Sequence, residues 1–220
     1  MSHQIAIDGP AGAGKSTIAK IVSARLGFIY VDTGAMYRAM ALYLSRKKID
    51  LDNQEEIGAM AQSADISIKY LDGQQVVMLG DENVNDLIRN PEISAMASKT
   101  SPVALLRQKL VQLQQKLADT QNVVMDGRDI GTVVLPKADL KIYLTASVQV
   151  RAKRRYDEMI HKGQSAELTT IEKDIEERDY RDMHRETSPL KQADDAILVD
   201  TSDMSIEQVA DKIIELYNNK

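Results

Sequence analysis

The sequence predicts an α/β fold: five parallel strands in one sheet flanked by helices, with a small antiparallel insertion and a short helical lid. Three observations carry that expectation. Gly9-Pro10-Ala11-Gly12-Ala13-Gly14-Lys15-Ser16 matches G-x-x-x-x-G-K-[ST] at every specified position, the P-loop pattern. Short apolar runs alternate with helical patterns along the chain, as a parallel P-loop sheet requires. Between about residues 50 and 100 that pattern gives way to alternating runs around a turn, as an antiparallel outgrowth requires.

The elements follow in order. Gln4-Ile5-Ala6-Ile7-Asp8 reads as a short buried strand. After the glycine turn and Thr17, Ile18, Ile21, Val22 and Leu26 recur at helical spacing, and Gly27 stops that helix. Phe28-Ile29-Tyr30-Val31 is a second strand, ended by Asp32-Thr33-Gly34, and residues 35–46 read as a helix. This order implies right-handed crossovers. Ligands bind beyond the carboxyl ends of such strands, so Asp32, Thr33, Tyr37 and Arg38 should face the same crevice as the P-loop.

In the insertion, Asn53-Gln54-Glu55-Glu56 has the form of a capping box. Ile66-Ser67-Ile68-Lys69-Tyr70 alternates like a half-wet strand, Leu71-Asp72-Gly73-Gln74 is a hairpin turn, and Gln75-Val76-Val77-Met78-Leu79 runs back. Residues 80–87 have room for another short strand. Residues 91–101 read as a helix, and Pro102 opens a longer one with Leu106, Leu110, Leu113 and Leu117 on one face.

Asn122-Val123-Val124-Met125 is the third sheet strand and runs into Asp126-Gly127-Arg128-Asp129. Leu140-Lys141-Ile142-Tyr143-Leu144, ending at Thr145, is the fourth, and Ala196-Ile197-Leu198-Val199-Asp200 the fifth. Between these two, Arg151-Ala152-Lys153-Arg154-Arg155 lies on a helix that Lys162-Gly163 ends, and Thr169-Thr170-Ile171-Glu172 caps the next. Arg178, Asp182 and Arg185 share one face of that helix. Ser205-Ile206-Glu207-Gln208 caps the last helix, with Ile206, Val209, Ile213 and Leu216 inward. The division expected is one domain, with its core in 1–49, 101–150 and 186–220, the insertion at about 50–100, and the lid and following helix at about 151–185.

Composition narrows the function. A net charge of −5 with 28% charged residues suits a soluble cytoplasmic chain and opposes a broad basic surface for nucleic acid. There are no cysteines, hence no disulfide, thiolate metal site or cysteine nucleophile. The first strand begins too early to leave room for a signal peptide, and no apolar run approaches the roughly 18 residues of a membrane span. No apolar stripe stands out, so a monomer is expected.

The chemistry-bearing residues point to phosphoryl transfer. Glycines let the turn's N–H groups converge on phosphate oxygens at a helix N-terminus. In such a motif the lysine, Lys15, reaches the terminal phosphates and the hydroxyl of Ser16 ligates magnesium. Asp126 ends an apolar strand, as a magnesium-holding Walker-B acid does, although Asp also starts many glycine turns. Arg38 and Arg128 stand beside strand ends, where function gathers. Arg155, Arg181 and Lys153 read equally well as a solvated helix face. His3, His161 and His184 have no metal spacing, and the aromatics form no base-stacking motif.

Four blocks together resemble bacterial cytidylate kinase: Ile7-Asp8 with the P-loop through Thr17; Asp32-Thr33-Gly34-Ala35-Met36-Tyr37-Arg38; Asp126-Gly127-Arg128-Asp129-Ile130-Gly131-Thr132-Val133-Val134; and Glu177-Arg178-Asp179-Tyr180-Arg181-Asp182. The resemblance runs from the first strand to the last helix and includes the insertion. Thr33 stands where a serine is common in the family and keeps the hydroxyl. The resemblance implies transfer of the γ-phosphoryl group of ATP to CMP or dCMP, with magnesium. It puts residues 9–17 on ATP, Ser98, Arg107 and Asp129 on cytosine, and Arg178 and Asp182 on the pentose. Thr33, Arg38, Arg128 and Arg185 go to the acceptor nucleotide, chiefly around its phosphate. Lys15, Arg128, Arg151 and Arg154 carry the catalytic charge, and residues 151–164 form a mobile lid.

Cytosine chemistry is consistent with that set. Its exocyclic amine donates to a carboxylate such as Asp129, while N3 and O2 accept from Arg107 and Ser98. Three other readings stay open on the residues alone. One is a P-loop kinase of another small acceptor, such as UMP or AMP. Another is a slow nucleotide switch, disfavoured in its GTPase form by the lack of Asn-Lys-x-Asp. The third is a nucleic-acid ATPase, disfavoured by the acidic balance.

Overall fold

The computed structural model describes residues 2–71 and 74–220. In chain order its elements are β1 (Gln4–Asp8), α1 (Lys15–Leu26), β2 (Ile29–Asp32), α2 (Thr33–Arg46), α3 (Gln54–Ser63), β3 (Ile66–Leu71), β4 (Gln74–Leu79), β5 (Glu82–Asn83), α4 (Pro91–Thr100) and α5 (Ala104–Thr120). There follow β6 (Val123–Gly127), one π-helical turn (Ile130–Val134), β7 (Leu140–Thr145), α6 (Val148–His161), α7 (Leu168–His184), β8 (Ile197–Asp200) and α8 (Ile206–Asn218). The five long-range strands form one parallel sheet in the order β2-β6-β1-β7-β8, and β3-β4-β5 form a separate antiparallel sheet. This is the fold class read from the sequence.

The strands are apolar on both faces because both faces are covered. Ile5 and Ile7 of β1 point to the layer of α1 and α8, where they meet Ile18, Val22, Val209 and Ile213. Ala6 points the other way, with Val123 and Met125, to the layer that includes Ala118 of α5. The insertion packs onto α2 and α5, with Ile57, Val77 and Ile88 against Met36, Met40 and Leu44 of α2 and Leu106 of α5. A smaller apolar contact of Ala152, Ile171 and Ile175 joins α6 to α7. Among the described residues no helix is long and apolar enough to cross a membrane.

Most expected boundaries hold within one or two residues, and the exceptions have local causes. α2 starts at Thr33 because the Asp32 carboxylate caps it, accepting the Ala35 N–H at 2.9 Å. α5 starts at Ala104 rather than Pro102, since the Val103 N–H closes a turn onto the Thr100 carbonyl at 3.1 Å. Asn53 caps α3 through the Glu56 N–H, but its own N–H donates to the Asp50 carbonyl, so only half of the box forms. Thr169 does not cap α7: the helix begins at Leu168, and the Thr169 and Thr170 hydroxyls donate to Glu167. Arg185 lies just past the end of α7, with an extended backbone, rather than on its last turn. The Ser205–Gln208 box forms in both directions. Asp72 and Gly73 of the expected hairpin turn lie outside the described residues.

The insertion is fastened to the sheet's outer strand. The Gln75 side-chain amide accepts the Asp32 N–H at 2.7 Å and donates to the Asp32 carbonyl at 3.2 Å. The Tyr70 hydroxyl donates to the Tyr30 carbonyl at 3.2 Å. Two side chains thus satisfy main-chain groups on the open side of β2.

Candidate active site

Acidic residues end most of the parallel strands: Asp8 on β1, Asp32 on β2, Asp126 next to last on β6 and Asp200 on β8. Beyond these ends lies a cavity of about 740 Å³ that reaches from the glycine turn to α4 and α7. Its size is that of a small-molecule site.

The glycine turn forms one wall. Gly12 and Gly14 adopt φ of 77° and 88°, left-handed angles that favour glycine, and no side chain caps α1. The first N–H groups of α1 are therefore left for an anion. Gly9 is packed away from the cavity: a Cβ there would lie 1.9 Å from the Leu144 carbonyl oxygen. Pro10 is also behind the loop, where its carbonyl accepts Lys15 Nζ at 2.7 Å. Burial and the Arg128 charge hold the Lys15 ammonium well below the ordinary lysine range. The negative charge of a phosphate there would reverse that shift.

Ser16 and Asp126 meet at the base of the turn. Ser16 Oγ donates to Asp126 Oδ2 at 2.9 Å, and the Tyr30 hydroxyl donates to Oδ1 at 2.8 Å. Burial and the Asp32 charge push the Asp126 carboxyl up, a cost that a cation would relieve. Among the described residues no three His, Asp or Glu gather to hold a metal by themselves. Magnesium in phosphate sites takes one or two protein ligands and completes its shell from phosphate and water, so the Ser16–Asp126 pair fits it.

The opposite wall is a ring of arginines around two carboxylates. Arg107 Nη2 donates to Asp129 Oδ2, Nη1 donates to the Ser101 carbonyl at 3.1 Å, and the guanidinium lies 5.3 Å from the Tyr37 ring centroid. Burial pushes the Tyr37 hydroxyl up to about 12. Arg128 Nε donates to Asp182 Oδ2 at 2.8 Å. Burial pushes the Asp182 carboxyl up, but the Arg128, Arg178 and Arg185 charges outweigh it and hold it below the ordinary value. Burial and the Arg128 charge bring Arg178 down to about 10. Arg185 Nη2 lies 4.0 Å from Asp129 Oδ1. Arg38 Nη2 donates to Asp32 Oδ2 at 3.0 Å. Ser98 lines the same wall, while the Thr33 hydroxyl is spent on the Asp126 carbonyl at 2.7 Å.

This wall has spare donors. Arg38 Nε, Arg107 Nε, Arg178 Nε and Arg185 Nη2 are buried with no hydrogen-bond partner among the described residues. Buried donors are seldom left so, and all four belong to arginines that line the cavity.

Two other arginines face the glycine turn. Arg154 donates to the Thr201 hydroxyl at 3.1 Å and to its carbonyl at 2.7 Å. Arg151 is buried and committed to protein groups: Nε to the Ala146 carbonyl at 2.9 Å, Nη1 to the Ala11 carbonyl at 2.8 Å and to Asp179 at 2.6 Å. Lys153 and Arg181 point to solvent beside Asp157 and Glu177, and Arg155 pairs with Glu158 at the cavity rim. His184 stacks on Tyr180 outside the cavity.

Residue reading alone missed Asp8, Tyr30 and Asp179. Asp8 accepts the N–H groups of Ile130 and Gly131 at 2.8 and 2.7 Å, fixing the π-helical turn that follows Asp129. Burial pushes its carboxyl up to about 6. The signal was present: Asp8 closes an otherwise apolar strand, and Asp179 falls in register with the buried Ile171, Ile175 and Asp182.

The family model described as cytidylate kinase matches residues 5–219. A cytidylate kinase from Caldicellulosiruptor bescii is 49% identical over 213 residues, covering 97% of this chain and 94% of that protein. One from Lactobacillus johnsonii is 49% identical over 217 residues, covering 99% and 94%. Among solved structures, an uncharacterized protein from Eubacterium ventriosum aligns over 100% of both chains with a TM-score of 0.54 at 12% identity, a likeness of fold alone.

Proposed function

The chain belongs to the cytidylate kinase family, and from that premise we propose that its crevice moves the γ-phosphoryl group of ATP onto CMP or dCMP, giving ADP and CDP or dCDP. The observation that carries the assignment of sides is the cluster of Arg38, Arg107, Arg128, Arg178 and Arg185, which line the same cavity as the glycine turn. Phosphoryl transfer is mostly positioning and charge neutralisation, so two anion-binding walls are what the reaction needs.

On this reading the amides of residues 12–17 and Lys15 hold the ATP phosphates. Arg38, Arg128 and Arg185 hold the acceptor phosphate, and Arg178 and Asp182 hold the pentose. Asp129 takes the cytosine amine, while Arg107 and Ser98 face N3 and O2. Thr33 supports this wall from behind through the Asp126 carbonyl. Lys15, Arg128 and Arg154 are the cations that can reach the transferring group. Magnesium, held through Ser16 and Asp126, would supply further neutralisation of the phosphates. The insertion and the 151–164 segment close over the substrates and exclude water, which otherwise competes as acceptor. Small-molecule substrates suffice for this chemistry, so we read the chain as a cytoplasmic monomer with no nucleic-acid or membrane partner.

The test is ADP release from ATP and magnesium with CMP, dCMP, UMP, AMP or no acceptor. Turnover with CMP and dCMP far above the other three is expected. ADP release at one rate with every acceptor and with none would overturn the reading in favour of a hydrolase or switch.

A further inference from the structure

Arg151 and Asp179 are buried, 4% and 8% exposed, and they flank one residue of the glycine turn. Arg151 Nη1 donates to the Ala11 carbonyl at 2.8 Å, and the Ala11 N–H donates to Asp179 Oδ1 at 3.3 Å. Arg151 Nη1 and Asp179 Oδ2 are themselves 2.6 Å apart. Both main-chain polar groups of Ala11 are therefore held by a single ion pair. Arg151 Nε is anchored on the Ala146 carbonyl at the end of β7, and its Cβ lies 3.2 Å from where a side chain on Gly12 would begin. The loop is thus fixed to the sheet on one side and to α7 on the other.

α7 also reaches the acceptor wall. Arg178, next to Asp179, lines that wall, and Asp182 receives Arg128 there. One rigid stretch of helix touches both halves of the crevice. A buried ion pair returns little net stability after desolvation, so a geometric role accounts for this one better than an energetic role does.

We propose that Arg151 and Asp179 are a positioning pair: they hold the phosphate-binding loop in its receptive shape and pass occupancy of the acceptor pocket to it through α7. The second half rests on the reading above that Arg178 and Asp182 contact the acceptor.

Calorimetry of a non-hydrolysable ATP analogue, with and without CMP, tests the pair in wild type, Arg151→Lys and Asp179→Asn. Lysine keeps the charge but cannot reach the Ala146 carbonyl, the Ala11 carbonyl and Asp179 together. Asparagine keeps an acceptor for the Ala11 N–H and drops the charge. In variants shown folded by thermal unfolding, analogue binding should weaken about tenfold while CMP alone binds within twofold of wild type. KM for ATP should rise without a matching rise in KM for CMP. The gain in analogue affinity that CMP gives the wild type should disappear. In wild type, hydrogen exchange of the amides of residues 11–14 should slow when CMP binds without ATP.

Analogue affinity unchanged in a folded variant, or equal weakening of both ligands, overturns the positioning role. Unchanged exchange at residues 11–14 in CMP-saturated wild type overturns the transmission, whether or not either variant folds. If wild type does not bind CMP at all, the acceptor assignment fails instead, and the analogue measurement still decides the clasp.

Discussion

Arg107 donates to Asp129 across the floor of the acceptor wall, and the two side chains are 4% and 7% exposed. The carboxylate assigned to the cytosine amine is thus held in place before any ligand arrives. A group that is preset in this way loses little freedom on binding. Removing Asp129 has two separable effects. Asp129→Ala should raise KM for CMP tenfold or more, by an estimate of one lost charge-assisted hydrogen bond at about 1.5–3 kcal/mol, and leave KM for ATP within twofold. It should also strand a buried guanidinium and lower stability by about 3–5 kcal/mol, seen as an earlier urea midpoint. Equal losses for both substrates would contradict the placement.

The same pocket sets the choice of base. Uracil offers an acceptor where cytosine has its amine and a donor where cytosine has N3, so UMP would leave buried groups unpaired at roughly 1–3 kcal/mol each. That is a factor of about ten to a hundred per group. Steady-state kcat/KM for CMP should exceed that for UMP by at least this much, and parity would remove Asp129 and Arg107 from the base site.

Lys15 gives a clean division between activity and stability. Its ammonium is buried beside Arg128, where charge is disfavoured until phosphate arrives. Lys15→Met should lower kcat by about 10²–10³, the usual cost of a transition-state donor. Because it also removes a buried charge, thermal unfolding should occur at the same or a higher temperature. A large drop in unfolding temperature would mean that Lys15 holds the loop together.

Asp8 should make stability depend on pH in an identifiable window. Its carboxyl sits at about 6 when folded against an ordinary 3.8, so the folded state binds the proton more tightly. Its contribution to stability is therefore fully present below about pH 3.8 and is lost as pH rises through about 6, by about 3 kcal/mol. Asp8→Asn cannot titrate and also loses one of two acceptors, a constant offset. The wild-type minus variant difference from urea unfolding should fall between pH 4 and 6 and be flat above pH 7. A difference that does not change with pH would place Asp8 at the ordinary value.

The glycine turn, the parallel strands and their covering helices were legible because each is encoded locally, by spacing and by apolar runs. The arginines of the acceptor wall were legible as a set, since Arg38 and Arg128 stand at strand ends and Arg178 and Asp182 share a helical face. What local pattern could not give was who holds whom. Asp8 reaches Ile130 across 122 positions, and Asp179 reaches Ala11 across 168. The commitment of Arg151 to Ala11 and Ala146 was hidden for the same reason: an arginine on a charged helix carries no local mark of burial. The start of α7 is misread because Thr169 has the residue type of a cap, whereas the helix begins one residue earlier, with Glu167 at the cap position and no side-chain cap.

The amide of Gln75 on the flank of β2 has a consequence beyond the reaction. An unfilled ladder at a sheet's rim invites chains to stick edge to edge. Here the side chains of residues 70 and 75 take the Asp32 N–H and the Asp32 and Tyr30 carbonyls, so this part of the β2 rim is filled without an additional strand. Gln75→Leu reopens it and should show concentration-dependent light scattering where the wild type shows none. If that scattering appears, the outgrowth assigned to holding substrate has a second effect, on how copies of the chain meet along β2.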